Sequence, residues 1–218
     1  RIIRLAHALA AIFVAFAILG CDQKPATKPA PTSTSIRIAA AADLKFALDE
    51  VIATFSTAHP AINVSVSYGS SGNFYSQLSN KAPFDLYFSA DIDYPRKLID
   101  AGHAASDSLF TYAIGQIVVW VRSDAPVDVA SLGIQALTHP SIRKIAIANP
   151  AHAPYGRAAV AALNSLGVHD QVKDRFVLGE NIAQTAQFVE SGAADIGIIA
   201  LSLALAPAMR DKGTFWIV

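Results

Sequence analysis

The sequence encodes an α/β protein of two tandem units, each a mostly parallel sheet flanked by helices. Three observations carry this expectation. Over residues 36–101, short apolar runs alternate with runs of helical period in the order β-α-β-α-β-α, which favours parallel strands covered by helices on both faces. A similar alternation returns over residues 144–200. Between them lies one long apolar stretch, Ala113 to Val121 (AIGQIVVWV), suited to a strand that passes from the first unit into the second. No repeat of short fixed period is present.

Ile36 to Ala41 (IRIAAA) is a short buried strand. Asp43 then precedes a helix with Leu44, Ala47, Leu48, Val51, Ile52 and Phe55 on one face, and Pro60 ends it. Ile62 to Tyr68 alternates as a strand does. Gly69-Ser70-Ser71-Gly72 stops it, and a helix runs from there to about Asn80. Phe84 to Ser89 (FDLYFS) is a third strand, and Ile92 to Ala101 a helix closed by Gly102. In the second unit, Lys144 to Ala148 is a strand and Gly156 to Leu166 an alanine-rich helix ended by Gly167. Val172 to Leu178 is read as a strand, Ile182 to Ser191 as a helix and Asp195 to Ala200 (DIGIIA) as a buried strand. Phe215 to Val218 has strand character, and further chain is expected beyond it.

The N-terminal residues stand apart from this pattern. Arg1 and Arg4 precede Ala8 to Leu19, an uncharged apolar run of twelve residues. That is too short to span a bilayer and suits the apolar region of a secretory signal peptide. Ile18-Leu19-Gly20-Cys21 resembles a bacterial lipobox, in which the cysteine is lipidated and becomes the new N-terminus. Cys21 is the only cysteine in the chain, and an unpaired thiol in an exported protein is accounted for by acylation. Asp22 after it suggests retention at the inner membrane. Residues 22–35 (DQKPATKPAPTSTS) hold three prolines, five Ser/Thr and no large apolar side chain, the composition of an extended tether.

Charge and histidine placement narrow the functional classes. The chain has 17 basic and 17 acidic residues. Loss of residues 1–20 removes Arg1 and Arg4, which leaves 15 basic against 17 acidic residues and a net charge of −2. With no basic tract, nucleic-acid binding is not expected, nor is anion capture by bulk positive charge. The six histidines are scattered without metal-ligand spacing, so neither a direct cation site nor a cofactor is expected.

Four strand-to-helix junctions share a character: Ala41-Ala42-Asp43-Leu44, Gly69-Ser70-Ser71-Gly72, Ala153-Pro154-Tyr155-Gly156 and Gly179-Glu180-Asn181-Ile182. Each puts small, hydroxyl or glycine residues where a helix begins. The first turn of a helix has amides without intrahelical partners and a partial positive charge, so an oxyanion can bind there without a lysine or arginine. In open α/β sheets such turns gather at the carboxyl ends of the strands, where ligands bind. Each junction also has a plain structural reading: Asp43 or Ser70 as a helix cap, Pro154 as an ordinary first helical residue, Gly179-Glu180-Asn181 as a simple loop.

The segments AAADLKFALDEV, YGSSGNFYSQL, APFDLYFSAD, NPAHAPYGRAA and DIGIIALS resemble, in order and spacing, the periplasmic molybdate-binding proteins of bacterial ABC importers. The resemblance covers Ile36 to Val218. It implies a type II periplasmic-binding-protein fold, with two α/β lobes, a two-strand hinge and the ligand in the cleft between them. It implies a first lobe at 36–115 and 206–218 and a second lobe at 116–205, after the signal peptide at 1–20, its lipobox at 18–21 and the tether at 22–35 read above.

The resemblance also implies function and site. The protein would capture molybdate, and tungstate of nearly the same size, and deliver it to a membrane permease. It would be a monomer, held at the outer face of the inner membrane through Cys21, and not an enzyme. The implied anion contacts are Asp43 and Leu44 at the first helix start, the hydroxyl and amide of Ser71, and the amides of Tyr155 and Ile182. A further position, often tyrosine in the family, is Ala200 here and is left out of the site.

Asp43 is the departure, because many members have serine or asparagine there and a carboxylate repels a dianion. The expectation is that its side chain turns away to cap its own helix while the amides bind; the alternative is a ligand that carries a proton, such as hydrogen phosphate. Two rivals follow. One is a binder of another oxyanion. The other is a serine hydrolase, in which His152 or His59 could in principle activate a serine, but Gly69-Ser70-Ser71-Gly72 lacks G-x-S-x-G spacing and no acid sits in a recognisable order.

Overall fold

The computed structural model describes residues 34–218. The expected signal peptide, the lipobox with Cys21 and most of the tether lie outside the described residues.

The first sheet has three parallel strands in the order β2-β1-β3: β1 (Thr34–Ala41), β2 (Ile62–Gly69) and β3 (Leu86–Phe88). A single 3₁₀ turn, Ala42–Leu44, leads from β1 into α1 (Lys45–Ala58). α2 (Ser71–Ser79) follows β2, and α3 (Asp93–Asp100) follows β3. The second sheet has five strands in the order β6-β5-β7-β4-β8. They are β4 (Ile117–Arg122), β5 (Ile145–Ala148), β6 (Phe176–Gly179), β7 (Ile196–Ala200) and β8 (Gly213–Ile217), and β4 alone runs antiparallel to its neighbours. Its helices are α4 (Val129–Leu132), α5 (Pro154–Ser165), α6 (His169–Val172), α7 (Ile182–Glu190) and α8 (Leu201–Ala204).

The buried strands explain the two-faced layering. Ile145 to Ala148 and Ile196 to Ala200 are buried at every position, as strands must be when helices cover both faces. Along β4 the side chains alternate. Val119 and Val121 join Ile145, Ile147, Leu163 and Ile198 on one face, while Val118 and Trp120 join Ala146, Ile199 and Leu203 on the other. Each fully buried Val, Leu or Ile contributes roughly 1.5–3 kcal/mol, so this sheet is the main source of stability. The first sheet has a smaller core around Ile38, Ala40 and Leu48.

Four expectations are corrected. β1 starts at Thr34 because Thr34 and Ser35 pair with Ile62 and Asn63 in the ladder, so the tether ends two residues early. The connecting strand is shorter than Ala113–Val121: residues 113–116 form a loop, with Ile114 exposed. Only Phe176–Gly179 of the expected Val172–Leu178 strand is extended. Val172 is buried as the last residue of α6, and a 3₁₀ turn, Lys173–Arg175, follows it; a short apolar run does not distinguish strand from helix by periodicity.

The fourth concerns the lobes. Residues 206–218 belong with the second sheet, not the first, because β8 is a strand of that sheet beside β4, with Val119 opposite Trp216 and Trp120 opposite Phe215. A Cβ on Gly213 would lie 2.1 Å from the Val121 carbonyl and 2.3 Å from the Trp120 ring. That contact seats the strand against β4.

Candidate functional site

The βα junctions converge at the boundary between the two sheets. Four of the five residues expected to contact an anion, Asp43, Ser71, Tyr155 and Ile182, line one small cavity of about 10 Å³, close to what a single water needs. Ala41, Ala42, Gly69, Ser70, Ala90, Ala153 and Pro154 complete its wall. Leu44 does not line it. That side chain is half-buried and faces a larger apolar cavity of about 740 Å³ beside α3 and the loop after it.

The larger cavity is bounded mainly by Phe84, Leu86, Phe88, Leu98 and Phe110, and it meets the smaller one at Asp43 and Tyr155, which line both. The smaller one carries the chemistry.

The amides at the three long helix starts can be accounted for one by one. In α7, Asn181 is the cap: its Oδ1 accepts from Ala183 N and Gln184 N at 3.0 Å each, and its carbonyl accepts from Thr185 N. In α5, Pro154 has no N–H, and Gly156 N and Arg157 N both donate to the Ala153 carbonyl. In α2, Gly72 N donates to the His152 carbonyl at 2.9 Å, Asn73 N donates to Ser70 Oγ, and Phe74 N donates to the Ser70 carbonyl. Among the described residues, one amide per helix is then left without an acceptor: Ile182 N, Tyr155 N and Ser71 N.

The two serines divide the hydroxyl work. Ser70 Oγ and His152 Nδ1 lie 3.0 Å apart, and His152 Nε2 lies 3.5 Å from Glu180 Oε2. With the ring proton on Nε2, toward the carboxylate, Nδ1 accepts from the Ser70 hydroxyl. Ser71 Oγ instead accepts from Ala90 N at 3.0 Å. Its own proton has no acceptor among the described residues, and the side chain is almost fully buried.

Asp43 departs from expectation. Its side chain makes no cap bond to either helical segment beside it. Its Oδ2 accepts from the Tyr155 hydroxyl at 2.9 Å, and the Ser202 hydroxyl donates to its carbonyl at 3.0 Å. Oδ1 is buried with no hydrogen-bond partner, in a residue only 8% exposed. Burial holds the carboxyl above the usual carboxylate range, opposed by the Tyr155 hydroxyl and by Asp43's own amide. The Tyr112 hydroxyl is pushed up to about 12, first by burial and then by the nearby Asp43 charge. Tyr155 is raised further by burial and by Asp43, so it stays a donor.

Several contacts tie the halves together around this cavity. Besides Tyr155 to Asp43 and Gly72 to His152, Asn73 Nδ2 donates to Glu180 Oε1 at 2.6 Å. Arg157 donates to Asp91 Oδ2 at 2.7 Å and to the Tyr94 hydroxyl at 3.0 Å. The sequence offers Ser70 as a cap and His152 as a possible partner of a serine, but it does not single out Asn73, Glu180 or Arg157, whose partners are remote in the chain. Asn181 has a readable signal, an Asn directly before a helical run.

The profile of the bacterial extracellular solute-binding proteins matches residues 36–218. The chain belongs to that family. It is 36% identical over 191 residues to the molybdate-binding protein ModA of Azotobacter vinelandii, an overlap that covers 87% of this chain and 73% of that protein. It is also 36% identical over 155 residues to ModA of Rhodobacter capsulatus, covering 71% of this chain and 59% of the relative. The solved structure of the Azotobacter vinelandii periplasmic molybdate-binding protein superposes with a TM-score of 0.77 at 34% identity, over 84% of this chain and 78% of that one. This family member therefore has the two-lobed α/β periplasmic-binding-protein architecture, with its cavity where the two sheets meet.

Proposed function

We propose that the protein captures molybdate, and the similarly sized tungstate, outside the cytoplasmic membrane and delivers it to the permease of an ABC importer. The observation that carries this is the convergence of three free helix-start amides, Ser71 N, Tyr155 N and Ile182 N, and the free Ser71 hydroxyl on one cavity, which at about 10 Å³ has room for a water and must widen between the lobes to admit the anion. The 36% identity to two molybdate-binding proteins supports the choice of anion. Neutral donors spread the charge of a small dianion without an ion pair. Each bond to it contributes roughly 1.5–3 kcal/mol net, so four or five suffice for micromolar or tighter binding after the lobes close. Asp43, Ser71, Tyr155 and Ile182 are the side chains and amides that face the anion. Leu44 is outside the site in this reading.

The protein acts as a monomer held at the outer face of the membrane through an acylated Cys21, and it is a carrier with no catalytic step. Ser70, His152 and Glu180 do stand in a row, which favours a hydrolase at first sight. The serine oxygen, however, is engaged as the α2 cap, and the imidazole presents Nδ1 to it. Glu180 is more than half exposed. The row links the two lobes, and it serves here as a clasp.

A thermal-shift panel of molybdate, tungstate, sulfate, phosphate and a chromogenic ester tests the reading. Molybdate and tungstate at micromolar concentration are expected to raise the melting temperature by several degrees through ligand linkage, with no ester turnover. Stabilisation by phosphate alone, or turnover of the ester, overturns it.

A further inference from the structure

The Asp43 carboxylate oxygen Oδ1 is the one polar side-chain atom of the small cavity's lining that is both buried and without a partner. A buried oxygen left unsatisfied is costly, and more so when charged. Three amides and the Ser71 hydroxyl in the same cavity offer protons to an anion, while Oδ1 offers only a lone pair. Two bare negative groups in contact in so small a space repel strongly.

We propose that anion capture here is proton-linked: one proton is shared between Asp43 Oδ1 and an oxygen of the bound oxyanion. This deepens the oxyanion reading above and rests on it. The proton can sit on the carboxyl, which then donates to a dianion, or on the anion, which then donates to the carboxylate. The complex holds the same number of protons either way. Asp43 thereby turns from a repelling group into one more hydrogen-bond partner, and it makes the site read whether an oxyanion can share a proton.

The surroundings keep this proton from being supplanted by a counter-charge. Tyr155 from α5 donates its hydroxyl to Asp43, while the Tyr112 hydroxyl, from the loop after α3, donates to the Ser89 carbonyl and feels the Asp43 charge; Ser70 and Ser71 from the start of α2 share the cavity wall; Ser202 from α8 bonds the Asp43 carbonyl. No Lys, Arg or His among the described residues bonds its carboxylate. The basic groups close in sequence to the wall are engaged elsewhere, Lys45 with Asp49 and His152 with Ser70 and Glu180. Burial already favours the protonated carboxyl, which lowers the cost of placing the proton.

The linkage fixes the sign. Where free Asp43 and free anion have both lost the proton, binding must take one up, and affinity falls about tenfold for each unit that pH rises.

Titration calorimetry with sodium molybdate between pH 6 and 9, in two buffers of different ionisation enthalpy, counts the proton directly. The wild type is expected to approach uptake of about one proton per anion at the top of the range. Asp43→Asn, whose amide donates without ionising, is expected to bind with no uptake and a flat pH profile, and to be the tighter binder at pH 9. Asp43→Ser serves as a second variant, with circular dichroism melts establishing that each folds. Wild-type binding without proton uptake, or uptake unchanged in both variants, overturns the proposal and leaves the oxyanion reading standing. Absence of molybdate binding by all three proteins at every pH overturns the oxyanion reading and this proposal with it.

Discussion

Asn181 illustrates how one side chain readies a helix for a ligand. By taking the amides of Ala183 and Gln184 it leaves Ile182 N as the donor at the tip of α7. A backbone donor cannot be removed by ordinary substitution, but proline at the first helical position removes the N–H while keeping helical geometry. Ile182→Pro is therefore expected to weaken molybdate binding by roughly 10- to 100-fold, the worth of one charge-assisted hydrogen bond. Ile182→Val, which keeps the amide, should bind as the wild type does when both are measured by calorimetry. Equal affinity of the proline variant would mean that this helix start does not hold the anion.

At the scale of elements, what matters is how closely α2 approaches the residues before α5. Gly72 N donates to the His152 carbonyl, and a Cβ at Gly72 would lie 2.4 Å from that oxygen and 2.8 Å from the Tyr94 hydroxyl. Those neighbours belong in part to the opposite lobe, so the glycine permits the halves to meet. Gly72→Ala is expected to hold them apart, with a loss of molybdate affinity beyond tenfold and a smaller radius change on ligand addition in solution scattering. Because alanine suits a helix better than glycine, the anion-free protein should melt no lower than the wild type. A large drop in that melting temperature would show that the contact supports the fold itself.

The same scale shows what the sequence made legible. Element order and most boundaries followed from apolar period and from Gly, Pro and Asn punctuation, as for β2, α2 and α7. Ser71, Tyr155 and Ile182 could be singled out because a βα junction announces its own free amides locally, and the structure brings all three to one cavity. Asp43 was misread as a cap because its true partner, the Tyr155 hydroxyl, lies 112 residues away. The Ser70 to His152 and Asn73 to Glu180 links span 82 and 107 residues, and no local pattern encodes such pairs. β8 was assigned to the wrong lobe for a related reason: Phe215-Trp216-Ile217 declares a strand but not which edge receives it.

For the whole molecule, the contacts across the cleft separate into those that touch the cavity and those that hold it shut. Arg157 belongs to the second group. It reaches from α5 to Asp91 at 2.7 Å and to Tyr94 at 3.0 Å, and it does not line the cavity. Its side chain and that of Asp91 are 39% and 28% exposed, so water and salt screen the pair and its net worth is modest. These bonds exist only when the lobes have met, so their loss raises the free energy of the closed complex and not that of first encounter. Changes of this kind fall on the dissociation rate. Arg157→Ala is expected to release molybdate several-fold faster in stopped-flow fluorescence, with an association rate within twofold of the wild type. An equal slowing of association would place Arg157 in the path of the entering anion, and a clasp would no longer describe it.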